Sequence, residues 1–415
     1  MGQVMELLKS GPWDPDRDVT ALWMALQPAT GARDLNPQQV EHNHWLRERL
    51  ASVFRLWGYE EVSPPRVERI DTLKAGGGIA SQEIVRLVAD EPLGLRPEMT
   101  ASIARAASTR LSQRTRPLRL WASGTVFESR QADEGRQCIE EKLHSGVELF
   151  GAPSPHGELE LLSLLMAATE SLGLKPRHQA RLLVGHAALM DLILSPFKGE
   201  ERDQVKKALT GLDRLELERL GLEPQAHERL LRQLDLRGEP FMVLEEERRC
   251  FGPQPVLRDL ERMFKHLSPL AQRGGIDLQL DPSFQPHYGL YDGLVFQLVC
   301  QGHSAPVVIA RGGRYDTLVA RFDSARKKAS GLGFSFCLDD VRDLPGAAQA
   351  ARQSLTQVLI AYSDTTSLED ALEVQRGLHR EGITAEVMLG PLVSREAAEQ
   401  VCQERCCSEL RWLTH

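Results

Sequence analysis

Gly58-Tyr59-Glu60-Glu61-Val62-Ser63-Pro64-Pro65-Arg66-Val67-Glu68 is the stretch on which the fold turns. Before it, from Pro37 to Trp57, apolar residues recur at helical spacing, and Gly58 is the stop signal of that helix. After it, Glu61-Val62-Ser63-Pro64-Pro65 reads as a strand ended by prolines, which cannot donate to a sheet ladder. Helix, turn and strand alone are common currency. The Gly-Tyr pair, the double proline and the terminal Glu68 make this one distinctive.

Working outward, strands are expected around Leu118–Phe127 and Gly146–Phe150, then an apolar helix from Glu158 to Leu172 closed by Gly173. Residues 176–270 are Leu/Glu/Arg-rich and helical in period, with few strand signals, and read as a helical insertion. Strand signals return at Ile276–Leu280, Gly293–Cys300 and Pro306–Ala310. Arg311 to Phe322 reads as a Gly-rich turn into a helix, and Gly331–Cys337 as a further strand before a closing helix. Beyond Leu344-Pro345-Gly346, the segments Val358–Tyr362, Ser367–Gly382, Ile383–Leu389, Ser394–Cys402 and Glu409–Leu413 alternate strand and helix as a β-α-β-α-β unit. Three parts are therefore expected: an extension over 1–23, a core over 24–345, and a small α/β domain over 346–415.

The bulk numbers bound the function. The 415 residues, 42% hydrophobic and 26% charged, suit a soluble globular protein with a well-buried core. A net charge of −8 argues mildly against gripping nucleic acid, which calls for a basic surface. No run approaches a membrane span and no signal peptide is evident. Seven scattered cysteines point to a reducing cytoplasm. Cys402, Cys406 and Cys407 form the one cluster, and a buried helix face is favoured over a metal site. Gly76-Gly77-Gly78 lacks the spacing of a phosphate loop and reads as a flexible substrate-side loop. Gly312-Gly313 reads as a tight backbone approach beside the pocket. No cofactor is expected.

Four segments carry a resemblance: the quoted stretch, Leu95-Arg96-Pro97-Glu98, Gly146-Val147-Glu148-Leu149-Phe150-Gly151 and Arg311-Gly312-Gly313-Arg314-Tyr315-Asp316. Together they make residues 24–345 resemble the catalytic core of histidyl-tRNA synthetase, a class II synthetase. The resemblance implies an α+β fold, an antiparallel sheet flanked by helices, and a dimer contact made by the first motif. It implies that Glu98 meets a substrate ammonium and Glu148 the substrate side chain, with Thr100 nearby and Tyr288 and Tyr291 in the histidine-specific stretch. The acids suit the NH and NH₃⁺ groups of histidine. His144 stands where the family usually has a glutamine, which alters recognition of the side chain. As structure alone, Glu98 and Glu148 would be ordinary salt-bridging acids.

The same resemblance exposes what is missing. Where the family follows a Phe with an arginine for the α-phosphate, Phe127 is followed by Glu128. Repulsion replaces an attraction of about 4 kcal/mol at 4 Å. Arg130 shares the face of Glu128 by strand alternation and stays open as a substitute. The histidine-specific arginine falls at Pro286, and residues 274–310 contain no lysine or arginine. The γ-phosphate arginine falls at Asp340, with Arg342 roughly 200° further round a helix. Losing one such group often costs about 10²–10³ in rate.

The C-terminal unit resembles the start of the family's anticodon-binding domain, truncated after its third strand, which makes tRNA an unlikely partner. Retained acids with lost arginines are similar to a paralogous family, the regulatory subunits of ATP phosphoribosyltransferase. That likeness implies a non-catalytic chain partnered with the short-form catalytic subunit, with L-histidine as effector. Two rivals stay open: a histidyl-tRNA synthetase with an atypical site, and a module that senses histidine or uncharged tRNA.

Overall fold

The computed structural model describes residues 26–75, 79, 83–131, 137–285, 289–322, 330–346 and 357–414. The extension expected over 1–23 and the Gly76-Gly77-Gly78 loop lie outside these. The chain divides into two compact units, Met1–Ala347 and Ala348–His415.

In the first unit the strands are β1 (Glu60–Glu61), β2 (Val67–Arg69), β3 (Leu93–Leu95), β4 (Leu118–Gln131), β5 (Gln137–Phe150), β6 (Arg181–His186), β7 (Asp277–Leu280), β8 (Leu294–Gln301), β9 (Pro306–Arg314) and β10 (Gly331–Cys337). Eight of them form one sheet in the order β1-β4-β5-β10-β9-β8-β6-β7. The pairings from β4 through to β6 are antiparallel. β1 and β7 add a parallel strand at either edge. This is the expected α+β architecture. β2 and β3 pair separately beside it.

Alternation gives the sheet two different faces. Val147, Leu149, Val184, Phe296, Phe334 and Phe336 point to one side, into a core shared with three long helices. Those helices are Pro37–Leu56, His156–Ser171 and Pro255–Gly274. The first starts on a capping box between Asn36 and Gln39, has Pro37 in its first turn, and is followed by Gly58 at φ +78°. Its Leu46, Leu50 and Phe54 are fully buried, each contributing about 1.5–3 kcal/mol. The opposite face carries a smaller apolar cluster around Met99, Ile103, Leu120, Phe150 and Tyr315. Beside that cluster lies a cavity.

Several expectations are corrected. The 176–270 stretch is not wholly helical: Arg181–His186 is a sheet strand, and its Leu182 and Val184 are fully buried. A short apolar run gives no period by which to tell strand from helix. Five helices between Ala187 and Phe251 follow, and Met190 to Leu234 build a small core of their own. Arg311-Gly312-Gly313-Arg314 is not a turn but the end of β9. A Cβ at Gly312 would lie 2.4 Å from the Gly333 carbonyl oxygen and 2.6 Å from Phe334 Cβ. These glycines allow close strand packing rather than chain reversal. The β4–β5 hairpin is also longer than expected, 14 residues per strand. Its distal half is rich in charge, which hides it from strand propensity.

The second unit has β11 (Gln357–Tyr362), β12 (Thr384–Val387) and β13 (Glu409–Leu413) in a parallel sheet, ordered β12-β11-β13. Helices Leu368–Arg380 and Arg395–Glu404 connect them, each capped by a serine, Ser367 and Ser394. Val358, Ile360, Tyr362, Ala371 and Leu378 form its core. Of the cysteine cluster, Cys402 is buried on a helix, Cys406 is exposed and Cys407 is half-buried, so one buried helix face does not hold all three. All seven cysteines are free thiols. Among the described residues no group of His, Cys, Asp and Glu could hold a metal, and no helix is long and apolar enough to cross a membrane.

Candidate functional site

The cavity has a volume of about 430 Å³ and is floored by the sheet face opposite the long helices. Glu148, Gly146, His144 and Lys142 line it from successive even positions of β5. Gly333, Ser335 and Cys337 come from β10, Arg311 from β9 and Gln297 from β8. Glu98 and Thr100 enter from the chain that opens the Thr100–Ser108 helix. Arg96 fixes that chain. Its buried guanidinium donates to the Pro64 carbonyl at 2.7 Å and the Thr125 carbonyl at 3.0 Å. It ties the proline-ended stretch to β4 and passes so close over Gly124 that a Cβ there would meet Arg96 Nη2 at 2.3 Å.

Glu148 is the centre of the site. It is 5% exposed; its Oε1 accepts from Thr100 Oγ1 at 2.6 Å and its Oε2 from the Tyr315 hydroxyl. Its carboxylate fits because residue 333 is glycine: a Cβ there would lie 1.9 Å from Glu148 Oε2. Gly313 likewise leaves space for the ring of Tyr291, 2.6 Å from where its Cβ would be. Burial pushes the Glu148 carboxyl up to about 8, against the two hydroxyl donors and with help from the charge of Glu98. Glu98 accepts from the Ala101 backbone N–H at 2.9 Å and from that of Thr100, at the positive end of the helix. Burial still holds its carboxyl above the ordinary value, and those N–H groups oppose it. Two acids therefore sit together in an apolar-walled space where a cationic group would be welcome.

His144 lies against Ser335, Nδ1 to Oγ 3.3 Å. Burial pushes its imidazole down to about 4, so it is a neutral hydrogen-bonding group at pH 7. Burial also raises the Tyr291 phenol. Of the residues expected here, Glu98, Thr100, His144, Glu148 and Tyr291 line one cavity. Tyr288 and Pro286 lie outside the described residues.

The positions expected to hold phosphate cations are acidic, and they line the same cavity. Glu128 pairs with Arg130 at 2.9 Å, and Arg130 also lies 3.6 Å from Glu140. Arg130 does share the face of Glu128, but its charge is committed to these carboxylates. Asp340 lies 3.6 Å from Lys142. Arg342 turns the other way, into buried bonds with Asp339 at 2.7 Å and Asn43 at 3.0 Å. Neither spare arginine offers a cation to a polyphosphate. Tyr315, Lys142, Ser335 and Arg311 have places in the site that the sequence did not assign. Counting back by twos from Glu148 reaches Lys142, but Tyr315 and Arg311 needed the strand pairing.

A model of the family described as histidyl-tRNA synthetase matches residues 31–341. A protein from Prochlorococcus marinus strain MIT 9313, named ATP phosphoribosyltransferase regulatory subunit, is 61% identical over 392 residues, 94% of this chain and all of that one. The chain belongs to the ATP phosphoribosyltransferase regulatory subunit family, within the histidyl-tRNA synthetase group. Solved structures agree on the fold of this regulatory-subunit family. One from Bacillus halodurans, titled an ATP phosphoribosyltransferase regulatory subunit/histidyl-tRNA synthetase, superposes with a TM-score of 0.76 at 24% identity, over 93% of this chain and 98% of that one. Histidyl-tRNA synthetase from Nostoc sp. PCC 7120 gives a TM-score of 0.72 at 17% identity, over 92% and 90% of the two chains. The fold is thus shared with a histidyl-tRNA synthetase.

Proposed function

We propose that this chain is the non-catalytic regulatory subunit that supports an ATP phosphoribosyltransferase catalytic subunit, and that L-histidine acts on it from the cavity at Glu98 and Glu148. The observation that carries the regulatory reading is the 61% identity over nearly the whole chain to a protein of that name. The cavity supports it. Acids for an ammonium and an imidazole are retained, and Glu128 and Asp340 stand where nucleotide phosphates need cations. Such a cavity suits an amino acid and opposes its activation by ATP.

Regulation then follows as coupling. Histidine that binds two states of the assembly with different affinity shifts their balance, and the catalytic partner must alter histidine affinity by the same factor. Self-association is proposed through the first motif, Gly58 to Glu68. Val67 is 41% exposed there, beside a buried Glu68 that pairs with Arg105 at 2.6 Å. Seven free thiols fit a cytoplasmic setting.

The test is reconstitution. The purified chain, mixed with a short-form catalytic subunit from the same source, is expected to release pyrophosphate from ATP and phosphoribosyl pyrophosphate, and histidine is expected to suppress it. Activity of the catalytic subunit that is indifferent to this chain would refute the regulatory role. Inhibition unchanged in Glu98→Ala and Glu148→Ala would refute the site.

A further inference from the structure

We propose that Arg311 holds the carboxylate of the amino-acid ligand, from a strand on the far side of the cavity from the acids. This rests on the reading of the cavity as a histidine site and adds the group that completes it. A zwitterion presents an anion as well as cations, and the acids provide only for the cations.

Register puts Arg311 in the right place. Glu148 on β5 stands opposite Gly333 on β10, and Gly333 opposite Gly313 on β9. Arg311 is two residues along β9 from Gly313, so it points to the same face as Glu148. Two strand spacings and two residues of rise separate their Cα atoms by roughly 12 Å. The intervening Gly333 and Gly313 carry no side chain, and the Glu148 carboxylate and the Tyr291 ring lie over them, on the face that lines the cavity. One small zwitterion can touch both side chains.

Its charge is also uncommitted. Arg130 and Lys142, the other cations lining the cavity, each have a carboxylate within 3.6 Å. Arg311 has no ion-pair partner among the described residues. Its cross-strand neighbours are Ser335 and Gln297, both neutral, and both line the cavity. It is exposed, so a ligand entering the cavity can reach the guanidinium. Its field reaches the site, opposing ionisation of His144 and favouring that of Tyr291. A planar guanidinium there can take a carboxylate through two parallel hydrogen bonds.

The measurement is a thermodynamic cycle of ligand against side chain, by titration calorimetry on the full chain. L-histidine is compared with L-histidinol, in which a hydroxymethyl group replaces the carboxylate. The native chain is expected to prefer histidine by roughly 10- to 100-fold, the size of one charge-assisted contact. Arg311→Met is expected to abolish that preference and leave histidinol affinity unchanged; Arg311→Lys is expected to retain part of it. Should the Met variant fold poorly, Arg311→Gln reads the same cycle. A variant that binds both ligands with the native preference overturns the assignment of Arg311 and leaves the cavity reading standing. A native chain that binds neither ligand overturns both.

Discussion

Glu148→Gln separates the chemistry of the site from the stability of the fold. In the native fold the carboxyl is buried by β5, β10 and the Thr100–Ser108 helix, and it faces Thr100, Tyr315, Tyr291 and Glu98. It ionises at about 8, against 4.5 for an ordinary glutamate. Between those values the folded chain binds the proton that the unfolded chain has lost, so stability falls as pH rises. The slope approaches 1.4 kcal/mol per pH unit, and relaxation of the site brings the total to about 3–5 kcal/mol. That stability is fully present below about pH 4.5 and gone above about pH 8.

Glutamine keeps one acceptor for Thr100 or Tyr315, loses the other at about 1 kcal/mol, and does not titrate. Urea unfolding of both proteins should therefore cross over. At pH 5 the variant is expected to be less stable by about 1 kcal/mol, and at pH 8.5 more stable by about 2–4 kcal/mol. A stability difference that is the same at both pH values would refute the argument from desolvation.

Three further outcomes are expected. Gly333→Ala places a Cβ 1.9 Å from Glu148 Oε2 and 2.4 Å from the Val147 carbonyl oxygen; calorimetry should show histidine binding lost and denaturation a cost of about 1–3 kcal/mol. Arg314→Met strands the buried Glu158 carboxylate that it now meets at 2.7 Å, and urea unfolding should show a loss of about 3–5 kcal/mol. The purified chain should show no histidine-dependent exchange between ATP and pyrophosphate, because Glu128 and Asp340 offer the phosphates no cation and occupy Arg130 and Lys142 in ion pairs; measurable exchange would revive the synthetase reading.

What the sequence determined by itself was whatever rests on local pattern. The helix from Pro37 follows from its spacing and from Gly58, and the C-terminal alternation follows from caps and short apolar runs. The resemblance of the chain's motifs to histidyl-tRNA synthetase implied Glu98, Thr100, His144, Glu148 and Tyr291, and these five line one cavity. It also revealed the acids at 128 and 340, since a charge reversal at a motif position needs no coordinates. Tertiary structure decided the rest, because pairing between strands distant in sequence is invisible to local periodicity. Arg181–His186 is too short and too apolar to declare itself a strand, and only its place between β7 and β8 makes it one. Arg311-Gly312-Gly313-Arg314 resembles a turn by composition and is a strand by contact, since only the neighbours of Gly312 and Gly313 reveal why they lack a Cβ. That pairing aims Tyr315 at Glu148 and turns Arg311 to the cavity face. The sum of charges in the cavity is therefore a property of register, and no single segment contains it.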